Sequence, residues 1–94
     1  MATVHILHSL TINQYYIGSC LNFPQRLAEH LSNKNSTAFT KRATDWKVFL
    51  TIENLEYAHA RKLERHIKKM KSRKYLENLL LFPEMIERVR NSTL

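Results

Sequence analysis

The chain has 94 residues, 44% hydrophobic and 24% charged, a balance that excludes a disordered segment and leaves room for one small domain spanning 1–94 rather than two. Fifteen Lys and Arg against eight Asp and Glu give a formal charge of +7, which points to polyanionic partners, nucleic acid before anionic membrane. No apolar run approaches the roughly 18 residues of a membrane span, the N-terminal Met1-Ala2-Thr3-Val4-His5 carries no basic leader, and the lone Cys20 has no partner for a disulfide or zinc site. A protein of the reducing cytoplasm without a membrane anchor is expected.

Thr3 to Leu10 is rich in β-formers, and Tyr15 to Cys20 is strand-like again after Thr11-Ile12-Asn13-Gln14, which predicts a hairpin. Its turn lacks glycine, but Asn13 adopts a left-handed conformation at low cost. The only glycine of the chain, Gly18, falls inside the second strand, where glycine marks a bend, a bulge or the close approach of another group. Asn22 then serves as a candidate cap, with Pro24 in the first turn of a helix from Phe23 to Leu31 that puts Phe23, Leu27 and Leu31 on one stripe and Arg26 and His30 on its flank.

Ser32 to Thr44 is polar and reads as a surface loop. Trp46 to Ile52 alternates Trp46, Val48, Leu50 and Ile52 against Lys47 and Thr51, a third strand. After Asn54, read as a helix start, Leu55 to Lys71 is helical with a core stripe of Ala60, Leu63, Ile67 and Met70. Ser72 caps a further helix through Phe82, Pro83 breaks it, and Glu84 to Arg90 forms a short last one. The order ββαβαα with a final short helix predicts an α+β fold, a small three-stranded antiparallel sheet flanked by helices.

Between Arg61 and Lys74 lie eight of the fifteen Lys and Arg residues, with Glu64 the single acid among them. Two readings of Glu64 stand side by side at this point: a surface ion pair with Lys68 one turn on, or a ligand for a divalent metal set among phosphate-binding cations. The density of Lys68, Lys69, Lys71, Arg73 and Lys74 is costly in self-repulsion and becomes favourable when a phosphate backbone neutralises it. Arg26 offers a guanidinium suited to a phosphoryl oxygen. The five histidines show no zinc-ligand spacing.

These residues together resemble the GIY-YIG nucleases, in particular small stand-alone members built from little more than the catalytic domain. Thr3-Val4-His5 stands at the GIY motif, Tyr16-Ile17-Gly18 matches YIG, and Arg26 follows Tyr16 by ten residues, as the family's arginine does, with His30 beyond it. Ala60 to Lys71 is similar to the helix that carries the family's metal-binding glutamate, placed here on Glu64, and Asn78 stands near a C-terminal asparagine of some members. His5 replaces the tyrosine that usually ends the first motif, and Ser19 follows the YIG glycine where some relatives carry lysine. Histidine still donates or accepts a proton near neutral pH.

The resemblance, which runs from about residue 3 to residue 80, implies a Mg²⁺- or Mn²⁺-dependent endonuclease that hydrolyses DNA phosphodiester bonds. Glu64 would hold the metal, Arg26 would offset charge in the transition state, Tyr16 would help activate water, and His5 and His30 would position or shuttle protons. Lys68, Lys69, Lys71, Arg73 and Lys74 would grip the backbone without reading sequence. Two rivals follow from the same residues: a nucleic-acid-binding module that lost hydrolysis with the first tyrosine, and a structural protein-interaction domain whose apolar tail, Leu79 to Val89, docks a partner or makes a homodimer.

Overall fold

The computed structural model describes residues 1–31 and 43–93, apart from the side chains of 29–31. Three strands, β1 (Ala2–Ser9), β2 (Gln14–Cys20) and β3 (Lys47–Leu55), form an antiparallel sheet in the order β2-β1-β3. Four helices complete the fold: α1 (Phe23–Leu31), α2 (Tyr57–Met70), α3 (Arg73–Leu81) and α4 (Pro83–Ser92). The α+β architecture agrees with the predicted order of elements. No helix among the described residues is long and apolar enough to cross a membrane.

The central strand β1 is buried along almost its whole length, and period-two alternation sends its side chains into two separate cores. Ala2, Val4 and Ile6 join Ile52, Leu55, Ala60, Leu63, Ile67, Leu76 and Leu79 on the face covered by α2 and α3. Leu7 joins Trp46 and Ala43 on the other face, with Phe23 and Leu27 of α1 packed beside them. Each fully buried Leu or Ile contributes roughly 1.5–3 kcal/mol, so the face under α2 carries most of the stability.

Several local expectations change in the folded chain. Trp46 is buried but precedes β3, and Val48 is 45% exposed. A register shift between the Ile6↔Leu50 and Leu7↔Val48 pairs explains it: Phe49 is the extra residue, and Phe49 and Leu50 both pack on the larger core while Val48 is left outside. Asn54 does not open α2; it adopts φ 60° at the end of β3, and Glu56 is the N-cap residue. Met70 leaves the core stripe and is 44% exposed, because α2 ends there and Lys71 turns left-handed. Pro83 ends α3 and also starts α4, where its fixed φ and missing N–H suit the first turn. Part of the apolar tail is spent inside the fold, since Leu79 is buried and Met85, Ile86 and Val89 pack against the core, whereas Leu80, Leu81 and Phe82 are exposed. The predicted loop lies largely at 32–42, outside the described residues; of its end, Ala43 is buried.

The β1–β2 turn is held from two directions. Asn13 takes the expected left-handed conformation at φ 50°, and its carbonyl accepts from Arg73 Nη2 at 2.5 Å. From the other side Asp45 accepts from Ser9 Oγ at 2.5 Å, and from the Thr11 backbone N–H and hydroxyl at 3.0 and 2.9 Å. The hydrogen bond from Ser9, then that from the Thr11 backbone, holds the Asp45 carboxyl down at about 2 against an ordinary 3.8. A carboxyl depressed on folding stabilises above its unfolded value and loses that contribution as pH falls through its folded value. Asp45→Asn is therefore expected to lower the urea midpoint at neutral pH, and the gap to wild type should close between about pH 4 and pH 2. A gap that does not change over this window would show that the charge of Asp45 does not hold the turn.

Candidate active site

β2 is an edge strand, and like those of any strand its alternating side chains reach both faces of the sheet. Tyr16, Gly18 and Cys20 face the side of α1; Tyr15, Ile17 and Ser19 face α2. In the β1–β2 register Gly18 lies opposite His5. A Cβ on Gly18 would stand 2.7 Å from His5 Nε2 and 3.2 Å from Tyr16 Cε1, and its φ is not positive. Close approach of a side chain, not a bend or left-handed backbone, is thus why glycine occupies this position.

His5 is 1% exposed, its ring centroid 6.1 Å from Tyr16 and 5.1 Å from Phe23. Its Nδ1 lies 3.7 Å from Cys20 Sγ. Burial pushes the Cys20 thiol up, partly opposed by the positive charge of Arg26 on α1. His5, Tyr16, Cys20 and half-buried Arg26 thus gather on one side of β2. His30 stands on α1 one turn beyond Arg26, with its side chain outside the described residues.

Glu64 approaches β2 from the opposite face. The register of α2 that buries Ala60, Leu63 and Ile67 leaves Glu64 half-buried at the margin of the core. Ser19 Oγ donates to its Oε1, and Lys68 Nζ donates to Oε2 at 2.7 Å. Burial raises the Glu64 carboxyl, but the hydrogen bonds from Lys68 and Ser19 and the charges of Lys68 and Arg61 together outweigh it and hold the group below its ordinary range. An ionised carboxylate with about four lone-pair sites, two of them used, fits a hard divalent cation that keeps most of its own waters. Among the described residues no three His, Cys, Asp or Glu side chains converge as a fuller ligand set.

A cavity of about 290 Å³ at β2 is lined by Tyr15, Tyr16, Ile17 and Lys68, so it takes in residues from both faces of the strand, while His5, Arg26, Ser19 and Glu64 do not line it. Of the remaining cations, Lys69, Lys71, Arg73 and Lys74 are all exposed at the end of α2 and the start of α3. Asn78 is half-buried in α3.

Two functional contacts escaped the sequence reading. Ser19 stands out in the sequence only by its place after the glycine; its position in the period-two series with Tyr15 and Ile17, where a hydroxyl turned toward α2 needs a polar partner, is the signal that reveals it. Asp45 falls between the predicted loop, Ser32 to Thr44, and the predicted strand from Trp46, and no local pattern links it to Ser9, 36 residues away.

The family model described as the GIY-YIG catalytic domain matches residues 1–76. The chain therefore belongs to the GIY-YIG family, a family of nucleases, and its match takes in His5, Tyr16, Arg26 and Glu64 together. No curated protein and no solved structure matches the chain.

The tight packing at Gly18 has a measurable consequence. Gly18→Ala should cost about 1–3 kcal/mol in chemical denaturation, because the ring it meets is buried and cannot swing away. Wild-type stability in this variant would show that His5 has room to move.

Proposed function

We propose that this chain is a metal-dependent endonuclease that hydrolyses DNA phosphodiester bonds, acting as one unit over 1–94. The observation that carries the reading is Glu64: an ionised carboxylate pinned by Ser19 of β2 within a basic surface, beside the cavity that Tyr16 lines. Glu64, the one well-sited carboxylate among the described residues, would hold Mg²⁺ or Mn²⁺, which would supply Lewis-acid stabilisation of charge on the phosphoryl oxygens.

The chain's own groups divide the remaining work. The Ser19 hydroxyl orients Glu64 through Oε1. Tyr16 Oη hydrogen-bonds the water that attacks phosphorus and orients it for the attack. The Arg26 guanidinium offsets the negative charge that grows on the phosphoryl group. His5, buried against Gly18 and next to Tyr16, positions the phenol from beneath. His30 follows Arg26 on α1 and remains a candidate for proton handling. The cations from Lys68 to Lys74 hold the flanking backbone by charge.

Burial of His5 also favours a second reading. A ring that is 1% exposed cannot itself meet a substrate in solvent, as expected of a nucleic-acid-binding module that has lost hydrolysis. One variant separates the two. Glu64→Gln keeps side-chain volume and an acceptor for Ser19 but removes the charge a hard cation needs. On labelled DNA with Mg²⁺ or Mn²⁺, the wild type is expected to cleave, and Glu64→Gln should lose at least about 10²-fold in rate with thermal stability and DNA affinity retained. Absence of cleavage by the wild type with either ion would favour the binding module. Equal cleavage by both proteins would reduce Glu64 to an ion-pair partner.

A further inference from the structure

A second cavity, of about 210 Å³, lies at the corner between α2 and α3. Its polar lining is Gln14, Lys68, Lys71, Ser72 and Arg73, with no acidic residue, and it shares Tyr15, Ile17 and Lys68 with the cavity that contains Tyr16. A pocket walled by three cations, of which only Lys68 is paired among the described residues, with Glu64 outside the lining, suits an anion. Its continuity with the Tyr16 cavity suits one on the same strand as the scissile bond.

We propose that this corner is a phosphate pocket holding one backbone phosphate of the DNA strand that flanks the scissile bond, with Lys71 as its principal charge. The inference rests on the nuclease reading above. The other lining groups have donors to spare. Lys68 gives one N–H to Glu64 at 2.7 Å and has two more. Arg73 gives one N–H to the Asn13 carbonyl and keeps the rest of its fork. Ser72 Oγ accepts from the Tyr75 N–H at 3.2 Å, so its own proton remains to donate.

Lys71 is the distinctive member. It closes α2 at φ 47° and ψ 40°, a left-handed position at which glycine is the usual, unstrained residue. A lysine there retains a steric cost that glycine would remove, and the residue lines the pocket. Lys69 and Lys74 carry the same charge and are equally exposed, yet neither lines the cavity. The cations of this segment are therefore not equivalent, and the pocket predicts which one DNA senses most.

The test is binding of a fluorescein-labelled DNA duplex and single strand, read by anisotropy in EDTA so that no strand is cut. Lys71→Gly should melt at or above the wild-type temperature, bind DNA about tenfold more weakly, and lower the slope of log affinity against log salt by about one. Lys69→Ala and Lys74→Ala, which lie outside the cavity lining, should lose less affinity than Lys71→Gly and should keep the wild-type sensitivity to a methylphosphonate at the flanking position. A single methylphosphonate walked along the strand should weaken wild-type binding at one flanking position and leave Lys71→Gly indifferent there. Wild-type affinity of Lys71→Gly, or an equal loss in Lys69→Ala, would overturn the pocket in favour of a diffuse basic surface. Stabilisation by millimolar inorganic phosphate that Lys71→Gly abolishes without affecting DNA binding would overturn it in favour of a small free phosphate. The readout needs no hydrolysis, so an inactive enzyme that still shows the Lys71 pattern refutes cleavage alone, whereas cleavage without that pattern refutes the pocket alone.

Discussion

The contact between the His5 ring and the bare backbone of Gly18 sets the spacing on which the rest of the site depends. With no Cβ at position 18, the ring of a buried histidine lies directly over β2, and Tyr16 is carried beside it one alternation earlier in the same strand. The next residue in the chain, Ser19, necessarily points the other way, toward α2, where it meets Glu64. One strand therefore supplies both halves of the site. β2 is at the edge of the sheet, and the cavity there is lined by Tyr16 from one face and by Tyr15 and Ile17 from the other.

The same edge explains how a strongly basic segment is tolerated. Lys68 is neutralised by Glu64, and Arg73 spends part of its fork on the Asn13 carbonyl, where it pins the hairpin turn that Asp45 grips from the opposite side. Two of the cations thus have acceptors within the protein, and the charge that remains is gathered at the α2–α3 corner. In the reading proposed here that residual charge is matched by phosphate, and Lys68 borders both cavities, between the carboxylate and the strand.

Helix α4 lies beyond the matched family region of 1–76 and is joined to the core by a different chemistry. Its Arg90 Nη2 donates to the Asn54 carbonyl at 3.0 Å, and the Arg90 carbonyl lies 2.9 Å from His59 Nε2. Asn54 can present that carbonyl because of its left-handed turn at the end of β3. The residue that resembles a helix cap in the sequence is instead the hinge on which the last helix is fastened.

Local pattern was sufficient wherever the governing forces were local. The hairpin, the left-handed Asn13, the Ser72 cap, the α2 stripe through Ala60, Leu63 and Ile67, and the basic run with one acid within it were all legible, since each follows from propensity, capping or helical period among near neighbours. The motif order also made the family legible before any coordinates. What the tertiary structure decided was each pairing between distant segments. Phe49 became a bulge because β3 had to match β1, which displaced Val48; Ser19 was joined to Glu64, and Ser9 to Asp45, across 45 and 36 residues. Even the reason for Gly18 required the fold, because sequence shows that a side chain is missing there, whereas only the register of β1 against β2 shows that the ring of His5 fills the space.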